Sequence, residues 1–310
     1  MAGALVPAAY PSTVLPLDTM PGLGSLYVKA LTPKPQRTLA ALAAKLPGGA
    51  PPTVNAADFA IEPVTYHVAQ VTADPDQLER YQRLVGEPTD EFLPAGFVHV
   101  LAFPAAMAIM VRPKFPLPVA GMIHLTNRAS MARPIHRSET LEVYAWAQNL
   151  TGHDKGTAVD LVVEVRSSGE PVWRGVSTYL AKGKFLVGRG DPAERADFVA
   201  PVPTARWRLS PRNAKAYAAI SGDRNPIHTS LLGAKAFGFP KPIAHGMYTA
   251  ARALADSRAL RPQAFDWTVE FGRPVLLPAQ VALSITPERY TAWNAKSGKL
   301  YFSGQVLPLT

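Results

Sequence analysis

The sequence contains no cysteine. This absence excludes disulfide bonds, thiolate metal sites and a cysteine nucleophile. It also fits a reducing compartment, and we expect the protein in the cytoplasm. With 310 residues, of which 47% are apolar, the chain is long enough to bury a substantial core and to form two modest domains.

The chain also lacks a hydrophobic run long enough to cross a bilayer. Its longest apolar stretch, Ala95 to Val111, is shorter than a full span and contains His99 and Pro104. The N-terminus has no basic segment, and prolines interrupt its apolar residues, so it does not resemble a signal peptide. We therefore expect a buried helix near Ala95, no secretion and no membrane insertion.

Runs of like charge are absent, although the chain carries 32 basic and 23 acidic residues and a formal charge of +9. The basic residues are scattered singly, unlike the clusters of nucleic-acid-binding arms, so we expect no nucleic-acid partner. The excess of positive charge indicates either a generally basic surface or attraction to an anionic partner. Composition does not decide between these two interpretations.

Several enzyme motifs are missing as well. The segment near Gly22 lacks the third glycine of a dinucleotide-binding loop, and neither a Walker sequence nor a G-x-S-x-G elbow occurs. We predict no metal site, because five of the histidines show no spacing typical of metal ligands: His67, His99, His124, His136 and His153.

What the chain does contain is an internal repeat. The segment that starts at Val71 matches the segment that starts at Trp207 at a constant spacing of 136 residues, so that Tyr81 aligns with Tyr217 and Gly86 with Gly222. Further on, residues 102–110 align with residues 242–250, and residues 133–134 with 273–274, at a spacing of 140.

Each copy predicts a short polar helix, an alanine-rich helix and then several strands. The predicted strands are residues 140–149, 157–165 and 171–181 in the first copy, and 266–276, 280–290 and 299–309 in the second. This order indicates an α+β fold in which an antiparallel sheet wraps each central helix and the two sheets join edge to edge. We predict an N-terminal extension (1–60), an N-terminal unit (61–182), a linker (183–204) and a C-terminal unit (205–310). The extension receives no chemistry, only a short helix over 36–45.

The second copy carries a distinctive loop, SGDRNPIH, from Ser221 to His228. It places a carboxylate, Asp223, five residues before an imidazole, His228, with Asn225 and a proline between them to favour a defined turn. At the matching positions the first copy has Glu87 and Phe92. Only the second copy is therefore expected to be catalytic.

Such a pair suits the addition of water to a carbon–carbon double bond conjugated to a carbonyl. One group takes a proton from water and one delivers a proton to the neighbouring carbon. The enolate oxygen formed on the way needs a donor, and we predict the amide of Gly246 at the start of the central helix. His245, just ahead of that helix, is interpreted as a structural contact, with direct participation in proton transfer as the less favoured alternative.

The loop and the downstream segment from Phe237 to Met247 resemble the MaoC-like, R-specific enoyl-CoA hydratase family, whose loop reads S-G-D-x-N-P-x-H. The resemblance implies a double hot-dog fold with a degenerate N-terminal unit that makes room for the acyl tail. It places the catalytic pair on Asp223 and His228, loop positioning on Asn225 and the oxyanion hole on Gly246. Some members have a serine farther along the helix that supports the loop, and Leu254 occupies that place here.

The resemblance implies an (R)-specific enoyl-thioester hydratase or 3-hydroxyacyl-thioester dehydratase of fatty acid metabolism. The expected substrate is an acyl-CoA or an acyl-ACP, with no cofactor beyond that carrier, and the expected assembly is a homodimer. A hot-dog acyl-thioesterase and a non-catalytic acyl-thioester-binding subunit remain the alternatives.

Overall fold

A computed structural model describes residues 5–31, 60–192, 197–258 and 261–309. The helix predicted over 36–45 lies outside these residues. The helices are α1 (Leu23–Leu31), α2 (Pro75–Val85), α3 (Ala95–Met110), α4 (Pro211–Ser221), α5 (Pro226–Thr229), α6 (Leu231–Ala236) and α7 (Gly246–Asp256).

The strands of the described residues form one sheet in the order β1-β2-β4-β5-β6-β3-β8-β11-β10-β9-β7. Their bounds are β1 (Thr13–Leu17), β2 (Val64–Val71), β3 (Ile123–Met131), β4 (Leu141–His153), β5 (Gly156–Ser167), β6 (Glu170–Lys182), β7 (Ala205–Leu209), β8 (Phe265–Phe271), β9 (Ala279–Ile285), β10 (Arg289–Asn294) and β11 (Leu300–Pro308). Strands β2–β6 and β7–β11 fall within the two predicted units, whose boundaries stay a prediction.

Each half of the sheet packs on one central helix. In the first half, α3 contacts β2, β4, β5 and β6 and is apolar on nearly all sides, as a helix surrounded by protein must be. In the second half, α7 packs against β11, and one of its faces is buried, since Met247, Ala250, Ala251 and Leu254 are all at most 7% exposed.

The two halves join where β3 pairs antiparallel with β8, with Asn127 opposite Val269. A hydrogen bond from Ser130 to Asp266 ties the same two strands together. The predicted α+β, double hot-dog architecture with one continuous sheet is confirmed.

The strand predictions need correction in two respects. The stretch predicted as one strand over 280–290 is two strands, β9 and β10, separated by a bend at Pro287 and Glu288. Four strands were not predicted, namely β1, β2, β3 and β7. Of these, β3 lies at the joint and carries polar residues that the fold buries. Asn127 is fully buried, and its side-chain oxygen accepts a hydrogen bond from Ser177 Oγ at 2.9 Å.

The alignment of the two copies at a spacing of 140 is wrong for the central helices. Leu93 N donates to Ile135 O in the first copy just as Ala244 N donates to Val275 O in the second, so the residues before α3 and α7 correspond. Likewise, Phe92 forms an isolated bridge with His136, just as Ile243 does with Leu276.

Phe92 is therefore the counterpart of Ile243 and not of His228. The second copy carries a longer segment between its polar helix and its central helix, and this added segment holds α5 and α6. The error arose because alanine-rich runs align well at several registers. His228 thus belongs to a loop that the first copy does not possess.

Residues ahead of the first unit add an edge strand to the sheet and a helix that packs on α3. Strand β1 pairs in parallel with β2, and α1 packs Leu23 and Leu26 against Met107 and Ala108 of α3. Among the residues that the structure describes, no helix has both the length and the apolar character needed to cross a membrane.

Candidate active site

The predicted loop begins where α4 ends. Ser210 caps this helix at its N-terminus, and Gly222 ends it in the left-handed region with φ of 75°. The chain turns sharply at Gly222, and Asp223 is the next residue. Asn225 caps the short helix α5 by accepting a hydrogen bond from Ile227 N at 3.3 Å. The prediction of a short polar helix followed by a defined turn is confirmed.

His228 lies on α5 and is only 8% exposed. Its Nδ1 lies 2.9 Å from the carbonyl oxygen of Ile243. A carbonyl oxygen can only accept, so Nδ1 carries the proton and the neutral ring keeps its lone pair on Nε2. The backbone therefore presents His228 as a proton acceptor.

His245 holds the loop against the central helix. It precedes α7, and its Nε2 donates to the backbone carbonyl of Asp223 at 3.0 Å. Its ring also stacks on that of His228, with centroids 3.7 Å apart. This contact from His245 gives the loop a hydrogen-bonded support that the apolar side chain of Leu254 cannot give.

The carboxylate of Asp223 faces the same small volume. Its Oδ1 accepts hydrogen bonds from Asn225 N at 3.2 Å and from the hydroxyl of Tyr27, whereas Oδ2 lies 3.9 Å from His245 Nε2. Potential ligand atoms of Asp223, His228 and His245 all lie within 4.8 Å of one another. The predicted acid/base pair is thus brought together, with His245 beside it.

Burial and neighbouring groups set the charge states. Burial alone would raise the pKa of Asp223, but His245, His228 and the hydrogen bonds from Tyr27 and Asn225 together lower it below its usual value. Burial and the nearby His245 lower the pKa of His228 to about 3. At neutral pH the site therefore holds a carboxylate beside a neutral imidazole.

Gly246 is the first residue of α7 and is partly exposed. Its amide cannot find an acceptor within the helix, because the acceptor would lie before the helix begins. A Cβ at this position would lie 3.0 and 3.1 Å from the ring carbons Cε1 and Cζ of Phe271, so a side chain here would require a small shift of the Phe271 ring or of the backbone.

The first copy contributes a small apolar cavity between α3 and strands β5 and β6. Burial lowers the pKa of His99 and raises that of Tyr179, and the negative charge of Asp223 acts to raise both. The wall of the cavity includes His99, Phe103, Leu161, Val163, Trp173 and Tyr179.

In the first copy, the carboxylate that aligns with Asp223 is that of Glu87, and it binds an arginine. Glu87 is buried and forms a two-pronged ion pair with Arg261, with distances of 2.8 and 3.1 Å. A carboxylate held in this way by a guanidinium contributes to structure, and no imidazole occupies the place of His228 beside it.

Tyr27 is the site residue that the sequence analysis missed. It comes from the N-terminal extension, to which no chemistry was assigned. The structure nevertheless places the Tyr27 hydroxyl against the carboxylate of Asp223. A lone tyrosine 196 positions before Asp223 carries no sequence signal that relates the two.

Among the described residues, one group could bind a metal ion, and it consists of Asp223, His228 and His245. Two of their ring nitrogens, Nδ1 of His228 and Nε2 of His245, already bond to carbonyl oxygens. Nδ1 of His245 is buried and has no hydrogen-bond partner among the described residues. The absence of a metal from the reaction stays a prediction.

Known proteins resemble this chain over most of its length. A model of the MaoC like domain matches residues 190–300. The chain is 36% identical over 222 residues to 3-hydroxyacyl-thioester dehydratase X of Mycobacterium tuberculosis, which covers 71% of this chain and 79% of that protein. It is 27% identical over 202 residues to the peroxisomal enoyl-CoA hydratase 2 of Arabidopsis thaliana, which covers 60% of this chain and 64% of that one.

The structural comparison agrees. The crystal structure of HtdX from Mycobacterium tuberculosis has a TM-score of 0.70 with this chain at 33% identity. The superposition covers 78% of this chain and 98% of the other, so both halves of the double sheet take part in the similarity.

Proposed function

Because the chain belongs to the MaoC-like family of 3-hydroxyacyl-thioester dehydratases and enoyl-CoA hydratases, we propose that it adds water reversibly to trans-2-enoyl thioesters. The reaction is a syn hydration that gives (3R)-3-hydroxyacyl thioesters of fatty acid metabolism, and the enzyme is a hydro-lyase. The observation that carries this proposal is the convergence of an ionised Asp223 and a neutral His228 on one small volume.

In this proposal a water molecule donates hydrogen bonds to Oδ2 of Asp223 and to Nε2 of His228. One member of the pair accepts a proton as the water oxygen attacks C3, and the pair returns one proton to C2 from the same face. The site ends with the protons it began with, and the substrate has gained one water. Dehydration is the same path in reverse.

The negative charge that develops on the thioester oxygen is stabilised by the amide of Gly246. A helix N-terminus offers an amide without an internal partner and a favourable dipole at this point. Such a donor acts most strongly in a buried site, where water does not compete for the oxygen.

Replacing Gly246 with alanine is expected to lower kcat roughly 10- to 100-fold, because the tight contact of the new methyl group with Phe271 shifts the amide donor from its position. Initial rates with crotonyl-CoA check this result. Gly272→Ala is the matched control, since its added Cβ meets Tyr301 O at an ordinary 3.5 Å. Normal turnover by the Gly246 variant would remove Gly246 from the oxyanion hole.

The assay that tests the function follows crotonyl-CoA in two ways at once. Loss of the conjugated double bond in the ultraviolet with no release of free thiol is the expected result. Release of thiol would support the thioesterase alternative instead, which shares this fold but directs water to the carbonyl carbon. Binding of crotonyl-CoA without either change would support a non-catalytic acyl-binding subunit.

We also propose that no cofactor takes part beyond the thioester carrier. The Asp223–His228 pair can move both protons, and Gly246 can stabilise the enolate, so the chemistry needs no further group. Dialysis against EDTA is expected to leave the hydration rate unchanged. A loss that zinc or magnesium restores would contradict this proposal and would point to the cluster formed by Asp223, His228 and His245.

We also propose an anionic carrier, a homodimeric assembly and a cytoplasmic location for the enzyme. The charge of +9 suits an anionic carrier, either coenzyme A or acyl carrier protein. Hydration rates measured on both carriers with acyl chains of increasing length distinguish them. Strands β1 and β7 end the sheet and offer edges for a homodimer, which light scattering tests. The lack of cysteine suits the cytoplasm, which fractionation of cells tests.

A further inference from the structure

Tyr27 brings a residue of the N-terminal extension into the catalytic site. It lies on α1, and its hydroxyl donates to Oδ1 of Asp223. The side chain is partly buried, and the negative charge of Asp223 together with burial raises the pKa of the phenol. Tyr27 therefore remains a protonated donor throughout the neutral range.

The extension is fixed to the body of the protein before it reaches this point. Strand β1 pairs with β2 from Thr13 opposite Val64 to Leu17 opposite Val68. Upstream of that strand, Ala8 N donates to the carboxylate of Glu164 at 2.9 Å. These bonds hold the chain ahead of α1 against the first unit.

Helix α1 is also packed directly against the catalytic loop. Leu23 and Leu26 are buried in a small cluster with Met107 of α3, and Tyr27 lies at the edge of the same cluster. Leu23 also borders Gly222, since a Cβ on that glycine would lie 3.3 Å from Leu23 Cδ1. The helix thus has little freedom to move away from Asp223.

The two oxygens of the Asp223 carboxylate have different surroundings as a result. Oδ1 accepts from both Tyr27 and Asn225 N, so its lone pairs are occupied on the loop side. Oδ2 lies toward the imidazoles, 3.9 Å from His245 Nε2. The donors on Oδ1 prevent rotation of the carboxylate and keep Oδ2 available to a water.

We propose that Tyr27 is a positioning residue, which orients the carboxylate of Asp223 so that Oδ2 and His228 Nε2 hold the same water. This inference rests on the proposed hydration reaction. It assigns the N-terminal extension a part in catalysis through Asp223, without contact between Tyr27 and the reacting atoms.

The test is Tyr27→Phe, which keeps the ring in its cluster and removes only the donor. The expected result with crotonyl-CoA is a kcat lowered roughly 10- to 100-fold with little change in KM, because a misdirected carboxylate slows the chemistry and not binding. Tyr66→Phe is the matched control. Its ring borders the same cluster, but its hydroxyl contacts Arg112 at 2.8 Å, and we expect normal kinetics.

Normal kcat in Tyr27→Phe would overturn the inference. A higher kcat would overturn it too, because it would mean that α1 obstructs the site. A purely structural role would lower the thermal midpoint and the fraction of active enzyme, whereas the kcat of the remaining active enzyme would stay normal.

A measurement without substrate separates this inference from the function on which it rests. In a cycle of Tyr27→Phe, Asp223→Ala and the double variant, the double variant is expected to lose less in thermal midpoint than the sum of the single losses. Additive losses would refute the contact itself. Absence of hydration by the wild-type enzyme, with coupled midpoints, would refute the proposed function and the positioning role while the contact stands.

Discussion

Replacing Asp223 with asparagine, or His228 with asparagine, is expected to lower the hydration rate at least about 10³-fold and to leave the fold intact. Asparagine at 223 keeps the size of the side chain and an oxygen that can accept from Tyr27, but it cannot take up a proton. Asparagine at 228 keeps an N–H close to the position of Nδ1, which can still donate to Ile243, and it lacks the basic Nε2. Both variants therefore remove the chemistry with little change in packing.

The measurement is kcat with crotonyl-CoA at neutral pH, together with the thermal midpoint of each variant. Alanine at either position is expected to abolish turnover as well, although it also removes the supporting hydrogen bonds. His136→Asn is the control, because His136 contacts Ser138 and Glu91 in the first unit, away from the loop. Near-normal rates in both site variants would end the assignment of the pair.

The catalytic loop could be predicted from the sequence because its information is local. The turn requires Gly222 in the left-handed region, Asn225 caps α5, and Asp223 and His228 are only five residues apart. Short-range geometry of this kind follows from the identities of adjacent residues. The start of the central helix at Gly246 is predictable for the same reason.

The contacts missed in the sequence analysis join residues that are distant along the chain. Tyr27 reaches Asp223 only because β1 pairs with β2 and α1 then packs on α3, and none of these steps has a motif. His245 was interpreted as a structural contact, but its partner, the backbone carbonyl of Asp223, lies 22 positions earlier in the chain and could not be named from the sequence. Strand β3 was missed because its polar residues, such as Asn127, acquire partners only in the folded sheet.

The different contacts of the two copies also involve residues that are distant along the chain, so the sequence does not predict them. Glu87 aligns with Asp223 in sequence, and both follow a glycine that ends a helix. Only the structure reveals that Arg261 binds Glu87 and that the loop with His228 is added in the second copy. One copy therefore provides an ion pair and a cavity wall, whereas the other provides the proposed catalytic pair.

The second large effect concerns stability in acid. Burial lowers the pKa of His99 to about 4, and burial with the neighbouring His99 lowers the pKa of His124 to about 3. The pKa of His228 is lowered to about 3 as well. All three rings are neutral in the folded protein at pH 5, whereas the unfolded chain protonates them below about pH 6.5.

The unfolded state therefore binds more protons than the folded state between about pH 6.5 and pH 4, and stability falls as the pH falls through this window. Each such proton contributes a slope of ~1.4 kcal/mol per pH unit, so the three histidines together give about 4 kcal/mol per pH unit near pH 5. A typical domain has a free energy of unfolding of only ~5–15 kcal/mol. We expect the protein to unfold in mild acid, and urea titrations at a series of pH values measure the slope.

His124→Phe isolates one of these contributions. The ring of His124 stacks between Tyr179 and Phe271, and its Nε2 is buried without a hydrogen-bond partner among the described residues, so phenylalanine fits the same space. The variant is expected to have a slope smaller by ~1.4 kcal/mol per pH unit near pH 5, with the difference from wild type constant above pH 7.5. An unchanged slope would mean that His124 takes up its proton equally in the folded and the unfolded protein.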